Sequence, residues 1–136
     1  MISVGINQTA RAAALQPLID AERDRRTAVG FLFSGKLIQA REQDKLRING
    51  AATLATLATL NGALADDYLW HGGVTPFEWI CADNTTLQLD AFEMIQLGQA
   101  AAAHEQAHVF AARALKDADP IPADYTDDSH WPAVPS

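Results

Sequence analysis

The spacing of apolar and polar positions changes several times along the chain, and each change marks a predicted element. Residues 18–28 have the three-to-four-residue spacing of a helix, which Gly30 is expected to end. Pro17 stands just before this segment, where it either opens a new helix or kinks one that continues from upstream. Residues 1–16 have little periodicity, so they are either an N-terminal arm or the beginning of that continuing helix.

Two β-prone stretches predict two hairpins. The first, residues 29–40, is interrupted by Gly35, and glycine readily adopts the positive φ that a tight turn needs. The second, residues 77–89, is interrupted by Asp83-Asn84, which are residue types that tolerate left-handed backbone. In its second half, apolar and polar residues alternate, which indicates one buried face.

Two longer segments have helical periodicity. Residues 42–65 form an apolar surface wider than one stripe, and their small residues would allow close approach of a neighbouring helix or another subunit. A loop rich in Asp, Gly and Pro follows over residues 66–76. The other helix begins after Asp90, whose carboxylate can accept from first-turn amides while Glu93 reaches back to the cap, and it continues to Asp117.

These elements predict an α+β domain with the order helix–hairpin–helix–hairpin–helix. We expect the second and third helices to pack antiparallel through their Ala-rich faces, with the hairpins covering one end or flank. The compact domain is predicted to span residues 1–116. Residues 117–136 contain four prolines and five aspartates without a helical or strand period, which predicts an extended acidic tail.

Composition and charge narrow the class of protein. The 136 residues are 49 % hydrophobic and 20 % charged, as is typical of one globular domain. The net charge of −7 argues against a nucleic-acid-binding protein, because phosphates require a basic face. The sequence shows neither a membrane span nor a signal peptide, so we expect a cytoplasmic protein. Cys81 stands alone in an apolar run, which predicts a buried, unreactive thiol.

The third helix contains a motif with chemical meaning. Residues 104–108, His-Glu-Gln-Ala-His, match H-E-x-x-H, the zinc-binding helix of metallopeptidases. In that arrangement His104 and His108 would bind zinc, and Glu105 would be the general base that activates a bound water.

The residues around this motif argue against a catalytic zinc site. Such a site needs a third protein ligand, and the extended form of the motif would have Gly and His at positions occupied by Ala111 and Ala114. After Lys116 there is no helix that could supply a Glu ligand. We therefore predict no catalytic residue, no metal and no cofactor, and we keep a zinc-dependent hydrolase as the alternative.

Aromatic residues in the two segments rich in Asp and Pro are the candidates for partner binding. Tyr68 and Trp70 lie in the loop that follows the second helix, and Tyr125 and Trp131 lie in the tail. Aromatic side chains frequently anchor protein–protein interfaces, so we predict a binding role for these four residues.

Segments along most of the chain resemble an uncharacterised domain family of tailed bacteriophages and prophages. The matching segments are residues 23–26, 30–35, 48–52, 77–84, 89–91, 104–117, 121–128 and 131–132. The chain departs from the pattern at Arg41-Glu42-Gln43, where the family has an Asp shortly after the first hairpin. This departure leaves the cap of the second helix unassigned.

The resemblance implies a biological context. Such proteins are similar to products encoded beside tail-fibre genes, which implies a non-enzymatic, tail-associated protein acting by protein–protein binding. It would be either a structural component of the tail tip or fibre attachment region, or a chaperone for fibre assembly. The implied partners are tail-fibre or baseplate proteins, with a homo-oligomer as a further option. The implied location is the host cytoplasm during assembly and, for a structural component, the virion tail.

Overall fold

A computed structural model describes residues 2–135, with the side chains described from residue 7 onward. It confirms the predicted α+β order of three helices and two antiparallel hairpins. The elements are α1 (Ile2–Val29), β1 (Phe31–Phe33), β2 (Lys36–Ile38), α2 (Glu42–Leu60), β3 (Glu78–Ile80), β4 (Thr86–Gln88), α3 (Ala91–Asp117) and a short 3-10 helix (Asp128–His130). Pro17 lies inside α1, so the first helix continues through the proline instead of beginning there.

The described chain divides into two compact units. The first contains the residues up to Thr27 together with Glu105–Val134, and the second is built from Ala28–His104. The domain boundary that the sequence predicts after residue 116 falls inside the first unit, and it stays a prediction.

The first unit has its own buried core, formed by α1, the end of α3 and the segment that follows α3. Its buried members are Ile19, Ala112, Leu115, Ile121 and Trp131. Hydrogen bonds add to this packing, since the Arg11 guanidinium donates to the backbone carbonyl of Ile121 at 2.7 Å. Over its described residues, the predicted tail therefore contributes buried side chains to this unit.

The second unit contains both hairpins. In the first hairpin Phe31 pairs with Ile38, and the turn residues Ser34 and Gly35 both have positive φ, of 51° and 75°. Two consecutive residues with positive φ are typical of two-residue hairpin turns. The backbone twist of such a turn matches the twist of the two strands that it joins. In the second hairpin the left-handed position is Asn84, with φ of 67°. The two hairpins are joined by a hydrogen bond of 2.8 Å from the Ala82 amide to the Leu37 carbonyl.

Helices α2 and α3 pack closely in the second unit, as the sequence predicts. A Cβ on Gly98 would lie 2.8 Å from the Cβ of Ala52, so the missing side chain is what allows the two helices to approach. The Asp66 amide, just beyond the end of α2, donates to the Asp90 carboxylate at the start of α3 at 2.9 Å. This contact holds the loop that follows α2 against the beginning of α3.

At the start of both α2 and α3, a carboxylate side chain accepts hydrogen bonds from nearby donors. At α3 the predicted capping box is confirmed, because Asp90 accepts from the Glu93 amide at 2.8 Å and Glu93 accepts from the Asp90 amide at 3.0 Å. At α2 the N-cap is Arg41, which has no acceptor side chain. Asp44 compensates by accepting from the Arg41 amide at 3.0 Å and from its guanidinium at 2.7 Å.

Candidate functional site

Residues 61–77, here called the 61–77 loop, join α2 to β3 without a helix or strand of their own. Loops longer than about 12–15 residues are uncommon in compact domains and usually have a function. Three long-range hydrogen bonds hold this loop on its unit. They run from Trp70 Nε1 to the Leu89 carbonyl (2.9 Å), from the Leu89 amide to the Phe77 carbonyl (3.1 Å) and from the Asp66 amide to Asp90 (2.9 Å).

Aromatic packing fixes the middle of the loop. The ring of Trp70 lies 4.8 Å from that of Phe77, and the ring of His71 lies 5.4 Å from Phe77. Trp70 and Phe77 also pack against the core of the second unit. Tyr68 is half-buried, and its burial, followed by the nearby carboxylates of Glu93 and Asp66, raises the pKa of its hydroxyl. The predicted binding residues Tyr68 and Trp70 thus lie in the part of the loop that holds it in place.

Other residues of the same loop present apolar side chains to solvent. Val74 is 95 % exposed, Leu64 is 72 % exposed and Leu69 is 48 % exposed. A loop that is fixed by aromatic residues and carries exposed apolar residues is suited to binding another protein surface, because little order has to be gained on binding.

A second apolar surface lies on α2, on the side of the helix that faces solvent. We call it the outward face of α2, and it consists of the exposed Leu46, Leu54, Leu57 and Leu60 with the smaller Gly50 and Thr53. The opposite side of the helix contributes Ile48 and Ala55 to the core, both fully buried. Helix α2 is therefore apolar on two opposite sides, whereas a surface helix normally has one apolar side.

The residues of the H-E-x-x-H motif have packing roles. The ring of His104 lies 5.5 Å from that of Phe31, inside the second unit. His108 is 4 % exposed, and Glu105 is half-buried in the first unit. The hydrogen bond from Arg23 to Asp24, with a smaller contribution from the charge of Glu105, raises the pKa of Arg23. Among the side chains that the structure describes, no cluster of three or more His, Cys, Asp or Glu could hold a metal ion.

The tail aromatics come together in the first unit. Trp131 is only 6 % exposed, and its indole donates to the Tyr125 carbonyl at 2.7 Å. The guanidinium carbon of Arg26 lies 5.4 Å from the Trp131 ring, close enough for a cation–π contact. Trp131 therefore has a structural role in its own unit, and the binding role predicted for Tyr125 and Trp131 stays a prediction.

Ion pairs and hydrogen bonds of Arg26 also hold the tail segment in the first unit. Arg26 donates to Glu22 at 3.0 Å, to the Thr126 carbonyl at 2.7 Å and to Asp128 at 2.8 Å. A hydrogen bond from Arg25, and then one from Arg26, lowers the pKa of the Glu22 carboxyl. Because both Glu22 and Arg26 are buried, the guanidinium and the carboxylate satisfy each other where water has little access.

Cys81 is buried at 2 % exposure, as the sequence predicts. Its burial raises the pKa of its thiol, so that the reactive thiolate is disfavoured. This thiol is a packing residue of the second unit.

The comparison with known protein families gives a match over residues 9–129, with the family described as Domain of unknown function (DUF4376). The chain belongs to the DUF4376 family. No curated protein and no solved structure matches it. Within the part of this DUF4376 chain that the structure describes, no helix is both long and apolar enough to cross a membrane.

Sequence reasoning identified the aromatic residues of the 61–77 loop but not its exposed Leu64, Leu69 and Val74. It predicted an apolar surface wider than one stripe on this helix, but it did not identify the outward face of α2 as a separate exposed surface. One signal for the latter is present in the sequence, since residues 48–65 contain no charged side chain. A helix that has one buried side and one side in water is expected to place charges on the second.

Proposed function

We propose that this DUF4376 protein is a non-enzymatic, tail-associated protein of a bacteriophage or prophage that works by binding another protein. It acts either as a structural component of the tail tip or fibre attachment region, or as a chaperone during fibre assembly. Its partners are tail-fibre or baseplate proteins, and it is located in the host cytoplasm during assembly and, as a structural component, in the virion tail.

The observation that carries the binding function is the construction of the 61–77 loop. Trp70 and Phe77 fix the loop on its unit, while the side chains of Val74 and Leu69 are exposed to solvent. Exposed apolar residues on a fixed loop cost solvation in the free protein and gain free energy when a partner covers them. The tail context rests on the resemblance of most of the chain to phage and prophage proteins.

A direct test measures binding to purified tail-fibre and baseplate proteins of the phage or prophage that encodes this chain. In the double variant Leu69→Asp/Val74→Asp, each introduced carboxylate would have to lose its water on binding. We expect the dissociation constant to rise at least about tenfold, which corresponds to about 1.4 kcal/mol.

The matched control is the double variant Leu18→Asp/Val134→Asp, which places the same two charges on an exposed leucine and an exposed valine of the first unit, 50 % and 55 % accessible. Its affinity should equal that of the wild type. An equal loss of affinity in both variants, or no binding of the wild type to any of these proteins, would contradict the proposed binding loop.

Immunoblotting of purified virions separates the two roles. A structural component is present in the particles, whereas a chaperone is present in infected cells and absent from particles. Metal analysis of the purified protein tests the hydrolase alternative. Stoichiometric zinc that is lost in His108→Ala, with peptidase activity lost in Glu105→Gln, would favour the hydrolase over the proposed function.

A further inference from the structure

The outward face of α2 lies directly opposite the buried face of the same helix. Nine residues correspond to two and a half helical turns, so Leu46 faces away from Ala55 and Leu57 faces away from Ile48. Leu46 and Leu60 are 72 % and 78 % exposed, while Ile48 and Ala55 are fully buried. Large apolar residues this exposed, in line along one helix, indicate a surface that binds a partner.

The spacing on this face indicates what kind of partner covers it. Leu46, Gly50, Thr53, Leu57 and Leu60 follow one another in alternating steps of four and three residues. This is the spacing by which one helix packs lengthwise along another helix of the same kind. A groove for an extended peptide or a small molecule would not require it.

The charge distribution also indicates that a protein surface covers this face. Residues 48–65 contain no charged side chain, although 20 % of the whole chain is charged. Depletion of charge in the middle of a surface with charges at its margins is typical of a protein–protein interface. Here the margins are Arg47 before the uncharged segment and Asp66 after it.

We propose that the outward face of α2 pairs with the same face of a second copy of this chain, as an antiparallel helix pair centred on Thr53. In this register Gly50 lies opposite Leu57 of the other copy, and Leu46 lies opposite Leu60. The pairing matches small to large, because a Cβ placed on Gly50 meets nothing within 4 Å and the space above it is open. Each copy supplies both the large and the small member, as a two-fold interface requires.

The charges at the two ends select the antiparallel direction. In this direction Arg47 of one copy lies away from Arg47 of the other, and the dipoles of the two helices are antiparallel. A parallel pair would instead bring Arg47 beside Arg47 and leave Gly50 facing Gly50, with an unfilled gap between the helices. The antiparallel pair is therefore the one that both shape and charge favour.

The mass of the protein in solution tests the pairing. Sedimentation equilibrium of the full chain over the micromolar range should give twice the mass of one chain. Leu57→Glu, which buries a carboxylate at the centre of the pair, should weaken association at least about tenfold. Leu18→Glu is the matched control, because Leu18 on α1 is 50 % exposed and Leu57 is 51 % exposed. A wild-type chain that is monomeric throughout, or equal dissociation in both variants, would overturn the proposal.

Gly50→Leu gives a test that does not depend on an introduced charge. The isolated chain has room for this side chain, so circular dichroism should show an intact fold. In the pair, however, the new leucine would collide with Leu57 of the other copy. We expect Gly50→Leu to weaken association, and we expect the double variant Gly50→Leu/Leu57→Ala to regain it. Unchanged association of Gly50→Leu would rule out the register.

Disulfide cross-linking tests the direction of the helices. In an antiparallel pair Thr53→Cys meets its own counterpart and should form a cross-linked dimer under oxidation, whereas Leu60→Cys should not. The wild type is the blank, because Cys81 is buried. Cross-linking through Leu60→Cys would contradict the antiparallel arrangement. The pairing is independent of the proposed binding loop, so Leu69→Asp/Val74→Asp should lose partner affinity and keep the dimer mass.

Discussion

Asp83 shows how a single side chain makes one turn of the second hairpin sensitive to pH. Its Oδ1 accepts from the Thr85 amide at 3.0 Å and from the Thr85 hydroxyl. These bonds, helped by Lys36, lower the pKa of the Asp83 carboxyl from 3.8 to about 2. Since the pKa is depressed in the folded state, the stabilisation is complete above about pH 3.8 and is lost as the pH falls through about 2.

We predict that Thr85→Val raises the pKa of Asp83 toward its ordinary value without reaching it. The variant loses the hydroxyl donor, which is the largest cause of the shift, and keeps the backbone amide donor. An NMR titration of the Asp83 carboxyl carbon measures this directly. Thr86→Val is the control, because the exposed Thr86 follows the turn in β4, and the pKa should stay near 2. A pKa of Asp83 that is identical in Thr85→Val and wild type would show that the hydroxyl has no part in it.

Gly98 allows α2 and α3 to pack closely because it lacks a Cβ atom. A Cβ there would lie 2.8 Å from the Cβ of Ala52, closer than real Cβ contacts allow. We predict that Gly98→Ala destabilises the fold by about 0.5–2 kcal/mol, because overpacking outweighs the gain in helix propensity of about 1 kcal/mol. Urea denaturation gives the free energy of unfolding.

A double-mutant cycle separates the contact between α2 and α3 from the propensity of each helix. Ala52→Gly by itself should cost about 1 kcal/mol, because glycine is a poor helix former. In the double variant Gly98→Ala/Ala52→Gly the collision is gone, so the two losses should be less than additive by at least about 0.5 kcal/mol. Strict additivity would mean that the two helices are not in close contact at this point.

Asp90 connects two structural elements. One carboxylate oxygen caps α3 through the Glu93 amide, and the other accepts from the Asp66 amide in the 61–77 loop. We predict that Asp90→Ala lowers the free energy of unfolding by about 2–3 kcal/mol, since a helix cap and a buried acceptor are both lost. Asp90→Asn keeps one acceptor oxygen, so its loss should be smaller.

Hydrogen exchange by NMR shows whether both contacts are lost. In Asp90→Ala the amides of Asp66 and Glu93 should lose protection. The control is Asp67→Ala, whose exposed carboxylate accepts from Leu69 only two residues away, and which should leave the Asp66 amide protected. Full protection of the Asp66 amide in Asp90→Ala would mean that Asp90 does not hold the loop.

Helices and hairpins were predictable where the determining residues are close in sequence. Asp90 and Glu93 specify the start of α3, and Gly35 and Asn84 supply the left-handed turn positions. The end of α2 was predicted about five residues late, at residue 65. The helix ends at Leu60, because Gly62 adopts a φ of 96° that leaves the helical region.

Features that depend on distant residues were not predictable. The position of the 61–77 loop depends on Trp70 reaching the Leu89 carbonyl. Trp131 is buried in the core that also contains Ile19, with the Arg26 guanidinium beside its ring. No local pattern specifies such pairs. The outward face of α2 was predictable only in part. Its lack of charged residues is visible in the sequence, whereas its exposure is known only from the structure.

Two separate hydrophobic cores are the largest feature of this chain. One is formed around Ile19, Leu115 and Trp131 in the first unit, and the other around Ile48, Leu89 and Leu97 in the second. Each core is completed by residues far apart in sequence, so each unit depends on its own long-range contacts. The proposed binding loop and the outward face of α2 both belong to the second unit. The proposed partner binding and the proposed pairing of two copies should therefore respond more strongly to changes in the second core than to changes in the first.

Ile19→Ala and Ile48→Ala test this separation, because both isoleucines are fully buried and lie in helices of different units. Each variant leaves a cavity and should cost about 2–5 kcal/mol. By hydrogen exchange, Ile19→Ala should reduce protection mainly over residues 7–27 and 105–134, and Ile48→Ala mainly over residues 28–104. Partner binding and dimer mass should then fall in Ile48→Ala under conditions where Ile19→Ala retains both. If the two variants reduce protection over the same amides, the chain unfolds as one cooperative unit and its two cores are not energetically separate.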